Sequence, residues 1–175
     1  MGFAEDGYAI VPDVADGDVV ARLLEAIGMV GEEPGVRSRG GVYAIRNLLR
    51  VLPEVEKWAA SADCRRLVEP VLGEEAVAVR GILFDKTPEA NWKVPWHQDL
   101  SIAVQERVEV PGYGPWTVKA GVTHVQPPVE VLEQMVAVRL HLDECGEENG
   151  PVRVIPGSHR LGRSAETPAG EAVSC

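Results

Sequence analysis

Ala76-Val77-Ala78-Val79-Arg80-Gly81-Ile82-Leu83-Phe84 is the stretch at which the grammar of the chain changes. β-Branched and aromatic residues take over there, and the run reads as a single strand over 76–84. Residues 117–121, 134–143 and 152–155 carry the same signature. Turn chemistry such as Pro111-Gly112-Tyr113-Gly114-Pro115 separates them. No convincing helix start recurs after Glu75, so residues 75–162 are expected to be all β.

Upstream the period is helical. Val19, Val20, Leu23, Leu24 and Ile27 recur at three- and four-residue spacing behind Asp16, a good N-cap, and predict a helix over 18–29. Pro53 suits the first turn of a second helical region over 53–72, which Ser61-Ala62-Asp63 should break in two. Asp6-Gly7 is expected to turn into a short strand that Pro12 ends, and 42–45 has strand character. Residues 31–41, rich in Gly, Glu and Arg, are expected to be a mobile loop. The whole is expected to be one domain: 1–74 mainly helical, 75–162 strands and 163–175 a frayed tail.

Bulk properties narrow the function. Apolar residues make up 45% and charged residues 25% of the 175, a balance that allows a real core and argues against disorder. A net charge of −10, spread along the chain, repels DNA and anionic membranes. The acidic opening is unlike a secretory signal, and no apolar run approaches a membrane span, so a cytoplasmic location is expected. Cys64, Cys145 and Cys175 are odd in number and far apart, which suggests neither disulfides nor a thiolate zinc site.

Chemistry concentrates in Val94-Pro95-Trp96-His97-Gln98-Asp99-Leu100. An imidazole and a carboxylate two residues apart on a strand project from one face, so His97 and Asp99 can grip a single ion. Completed by a distant histidine, such a pair makes the facial triad of non-haem iron(II) oxygenases. Taken alone, the tripeptide fits equally well a strand-end histidine bonded to a neighbouring carboxylate. Pro95 disfavours helix, and Trp92 and Trp96 offer apolar cover that can shape a substrate pocket. In Val136-Ala137-Val138-Arg139-Leu140-His141-Leu142-Asp143, valines and leucines face one way and Arg139 and His141 the other. That polar face is either the wet side of an edge strand or the lining of a pocket where a cation meets an acidic cosubstrate. Asn149-Gly150 is a hairpin-turn dipeptide, and Pro156-Gly157-Ser158-His159 predicts another tight turn.

Three blocks resemble the phytanoyl-CoA dioxygenase family: Trp96-His97-Gln98-Asp99 with the preceding Phe84-Asp85-Lys86, Glu148-Asn149-Gly150-Pro151, and Arg153-Val154-Ile155-Pro156-Gly157-Ser158-His159-Arg160. Phe3 and Asp6-Gly7-Tyr8 are similar to that family's opening. The resemblance implies a double-stranded β-helix, or jelly roll, flanked by N-terminal helices. It also implies bound iron(II) and 2-oxoglutarate as cosubstrate, with O₂-dependent hydroxylation of a small molecule that yields succinate. It makes His97 and Asp99 metal ligands, and it places Ile82, Lys86 and Arg139 in the cosubstrate pocket.

The family's third ligand, a late histidine, and the arginine beyond it normally lie well downstream of the Pro-Gly-Ser-His block. Here sixteen residues follow His159 and none is a histidine. His159 itself is usually structural in the family. The last strands are therefore expected to be missing. Either the activity belongs to a longer protein, or the chain is an inactive relative serving as a binding or assembly module, with unpaired sheet edges open to self-association. A cupin-like metal hydrolase or isomerase is a third alternative.

Overall fold

The structure, a computed structural model, describes residues 2–39, 41–88, 90, 92–163 and 170–175. The chain divides into two compact units, one of residues 1–13, 93–99 and 141–175 and the other of residues 14–92 and 100–140.

The second unit holds most of the regular structure. Helix α2 (Gly17–Gly28) begins where expected, because the Asp16 carboxylate accepts the Val19 N–H at 2.7 Å. Asp16→Ala should therefore cost about 1 kcal/mol in chemical denaturation, and an unchanged midpoint would show that the cap contributes nothing. The second helical region is split as predicted. Helix α4 (Pro53–Ala59) starts with proline at its first position, and α5 (Ala62–Leu72) is capped by Ser61, whose Oγ accepts from Cys64 N at 3.4 Å. A short helix the sequence did not announce, α3 (Leu48–Val51), precedes them. Its Leu48 joins Ile45 and Leu52 as the buried centre against which Ile27, Val36, Val55 and Leu83 pack. Cys64 is buried and unpaired, and burial pushes its thiol pKa up, so it is a poor nucleophile.

The expected loop over 31–41 contains strand β1 (Val36–Ser38), which pairs antiparallel with β2 (Val42–Ile45). Gly40 lies outside the described residues. Of the strand expected over 76–84, only β3 (Leu83–Phe84) forms, opposite Ile45 and Ala44. The cause is local. Strand β2 runs out at Ile45, and the next helix takes the upstream carbonyl, Leu48 N donating to Gly81 O at 3.1 Å.

A second sheet has the order β4 (Ile102–Val104), β6 (Val122–Val125), β5 (Trp116–Lys119), all antiparallel. The strand expected over 117–121 ends early. Ala120 (φ 50°) and Gly121 (φ 78°) both adopt left-handed backbone and form the two-residue turn joining β5 to β6. Alanine is a poor marker for that turn, and Asn47 Nδ2 donates to its carbonyl at 3.0 Å. The all-β expectation also fails at α6 (Val129–Leu132). The strand expected over 134–143 is absent, since these residues meet no ladder partner among the described residues.

In the first unit the chain starts as a helix, α1 (Phe3–Asp6), ended by left-handed Gly7 (φ 79°), and the strand expected before Pro12 does not form. Residues 147–149 make a 3-10 turn closed by left-handed Gly150, rather than the hairpin expected at Asn149-Gly150. Gly157 (φ 75°) makes the predicted tight turn and leads into a second 3-10 turn over Ser158–Leu161. Strand β7 (Arg153–Val154) pairs with β8 (Val173–Ser174), so part of the tail expected to fray is in a ladder; residues 164–169 lie outside the described set. No helix among the described residues is long and apolar enough to cross a membrane. The architecture is thus mixed, with three small antiparallel sheets and a few helices among the described residues.

Candidate metal centre

His97 and Asp99 stand on an irregular segment, not on the strand expected for them. Their side chains nevertheless turn to the same side: His97 Nε2 lies 3.9 Å from Asp99 Oδ1. Neighbouring residues explain why. Gln98 Nε2 donates to Gly162 O at 2.8 Å, and the Arg153 guanidinium lies 5.9 Å from the centre of the Trp96 ring. The residues between and before the pair are thus held against their own unit, and the side chains of His97 and Asp99 are left 56% and 96% exposed.

The donor chemistry fits a metal ion. His97 Nδ1 is 2.9 Å from the Pro95 carbonyl. A carbonyl oxygen only accepts, so Nδ1 carries the proton, and in the neutral ring the lone pair is on Nε2, the nitrogen nearer Asp99. A backbone carbonyl that orients an imidazole in this way is the usual outer partner of a metal-bound histidine. Two bonds of roughly 2.1 Å at the right angle of a facial site span about 3.0 Å, so the exposed side chains must close their 3.9 Å separation by about 1 Å, through rotation, to hold one ion. Among the described residues no third His, Cys, Asp or Glu joins them in a metal-holding group.

The other sequence-predicted site residues divide between the units. Trp96 and His141 share the first unit with His97 and Asp99, whereas Ile82, Lys86, Trp92 and Arg139 belong to the second. Lys86 Nζ sits 5.7 Å from the centre of the Trp92 ring, and Phe84 and Tyr43 meet that ring edge-on at 5.6 and 6.0 Å. Arg139 and His141 are exposed and lie outside any strand, so the alternating pocket face expected over 136–143 does not form as such. His159 is accounted for structurally: its ring packs on Gly7, and its Nε2 lies 3.3 Å from the Ala4 carbonyl, which Arg160 also reaches at 2.9 Å.

The burial of one polar group of the second unit was not legible in the sequence. His124, on the central strand β6 between Ala103 and Thr117, is 2% exposed. Its Nδ1 donates to Val122 O at 2.9 Å, and its Nε2 is buried without a partner. Burial lowers its pKa, helped by the positive charges of Arg80, Lys119 and Arg46 and opposed by the Val122 hydrogen bond. A neutral form favoured only in the fold means that the unfolded chain binds more protons below its ordinary pKa of 6.5. Stability should therefore be insensitive to this group above that pH and fall as pH drops through it, levelling below the folded pKa. Denaturation midpoints from pH 8 to pH 5 should lose part of this slope in His124→Asn, and an identical slope would refute the assignment.

The phytanoyl-CoA dioxygenase (PhyH) family pattern matches residues 3–172. Ectoine dioxygenase of Sphingopyxis alaskensis is 27% identical over 167 residues, covering 90% of this chain and 48% of that protein. The chain thus spans about half the length of the curated relative it matches. No solved structure matches. With the Trp96-His97-Gln98-Asp99 segment and the Pro156–Arg160 turn both inside the matched region, the chain belongs to the phytanoyl-CoA dioxygenase family.

Proposed function

We propose that the chain supplies the first two metal ligands of an iron(II), 2-oxoglutarate-dependent dioxygenase that hydroxylates a small molecule. The observation that carries this proposal is the orientation of His97: its Nδ1–H donates to Pro95 O, and its Nε2 faces Asp99 on an exposed segment. Such a tautomer has a ready metal-binding lone pair, and Asp99 supplies the anionic oxygen. Iron with 2-oxoglutarate provides the oxidant for a C–H bond, O₂ being consumed while the oxo acid becomes succinate and CO₂.

The chain's own residues then have defined tasks. His97 and Asp99 hold the metal, and the Pro95 carbonyl and the Gln98 anchor keep their segment in place. Lys86 and Arg139 are the cations offered to the cosubstrate carboxylates, with Ile82 as apolar wall, and Trp92, Trp96 and His141 shape the substrate space. A double-stranded β-helix is the fold proposed for the complete domain, supported by family membership and by antiparallel pairing in every described sheet. One domain is proposed because the first unit draws on three separate chain segments. The free cysteines suit the reducing cytoplasm. The relative at 27% identity supports the reaction type, and its substrate is not carried over.

The direct test supplies the full protein with iron(II), 2-oxoglutarate and candidate substrates, and measures succinate release against O₂ uptake. Equal amounts of succinate formed and O₂ consumed are expected. Metal-dependent turnover without O₂ uptake would point to a hydrolase or isomerase instead, and 2-oxoglutarate affinity with no metal requirement to a binding module.

A further inference from the structure

The second unit contains a cavity of about 150 Å³ that no part of the metal proposal uses. Arg46, Arg50 and Arg80 line it together with His124, Leu49 and Val122, and among the described residues no acidic side chain does. Its construction follows from features already described. Arg46 lies two residues before α3 and Arg50 within it. The segment carrying Arg80 is tied to that helix through the Leu48–Gly81 hydrogen bond. Gly81 has no side chain, and a Cβ there would lie 3.1 Å from Leu49, so any larger residue would push into the Leu49 wall. Val122 and His124, two apart on β6, present one strand face to the space.

Arg46 and Arg50 beside one concave site, in a chain whose net charge is −10, place positive charge there against the sign of the protein as a whole. His124 adds no further charge there, since burial and the neighbouring cations favour its neutral ring. Guanidinium groups bind carboxylates in planar, two-point fashion, and Leu49 and Val122 supply an apolar surface beside them. We propose that this cavity is a binding site for a short aliphatic monocarboxylate, its carboxylate on Arg46 and Arg50 and its carbon chain on Leu49 and Val122. The site does not depend on the metal proposal, because none of its lining residues is given a role there.

Calorimetric titration of the metal-free protein tests the site with four probes: butyrate, butyramide, inorganic phosphate and 2-oxoglutarate. Butyrate should bind, more weakly as salt rises, and Arg50→Gln, a change at an exposed position, should weaken it on the order of tenfold, the expected loss of one charged hydrogen-bond partner. Arg46→Gln should do the same, with both variants melting as the parent does. Butyramide binding as well as butyrate, or unchanged affinity in both variants, would overturn the proposal. So would phosphate matching butyrate, since charge alone would then suffice. If 2-oxoglutarate binds tighter than butyrate, the cavity is a cosubstrate pocket and the monocarboxylate assignment is wrong, while the metal proposal survives. Failure of succinate release in the full protein leaves this site untouched.

Discussion

His97→Ala is expected to weaken iron(II) binding, and to slow 2-oxoglutarate-dependent succinate release in the full protein, by more than about 100-fold. Loss of a mere outer-shell partner commonly costs 10- to 100-fold, so loss of a ligand itself should exceed that range. The fold should be indifferent to the change. The side chain is 56% exposed, and its described hydrogen bond is to Pro95 O two residues away, so the melting transition should stay within about 0.5 kcal/mol of the parent. Asp99→Ala should behave alike, with even less effect on stability because its side chain is 96% exposed. Unaltered metal affinity and turnover in both variants would end the assignment of the pair. A large loss of stability in either would mean that the exposed geometry described for the segment is wrong.

Gly7→Ala should be among the most destabilising single-methyl additions in the chain. Gly7 has a φ of 79°, which an L-residue adopts at a cost of about 1–2 kcal/mol. An added Cβ would also come within 2.6 Å of His159 Cγ and closer still to Nδ1. Pushing that ring away breaks its approach to the Ala4 carbonyl and disturbs the turn whose Gly157 N–H bonds Asp6 O at 2.8 Å. Overpacking of this kind costs about 1–3 kcal/mol, giving roughly 2–5 kcal/mol together. Urea denaturation would show it. The double variant Gly7→Ala, His159→Ala should recover the packing part and leave the backbone part. A single variant within 0.5 kcal/mol of the parent would contradict both the left-handed turn and the contact.

The two cases differ in how far the sequence could lead. Gly7 and His159 are 152 positions apart, and nothing in local pattern pairs them. The family resemblance marks His159 as usually structural, but the bonds that make it so come from α1, a helix the sequence did not announce. His97 and Asp99 were legible because spacing of two is a local property. Their convergence survived even though the strand did not, because Trp96 and Gln98 are held on their own unit.

What the sequence by itself determined lies within about one helical turn of each residue: the Asp16 cap, the break at Ser61-Ala62-Asp63, the proline start of α4, the tight turn at Gly157 and the closeness of His97 to Asp99. These depend on backbone geometry and hydrogen bonds a few residues apart. Only the tertiary structure decided which β-prone runs became strands, because a strand exists only where another chain segment offers its N–H and C=O groups at the right place. Residues 76–82 lost that contest when α3 took the Gly81 carbonyl, and residues 134–143 found no partner in the described structure. Arg46 and Arg50 from one stretch, Arg80 from another and a histidine on a central strand formed a cavity for the same reason: side chains far apart along a chain become neighbours only when backbone pairing brings them together.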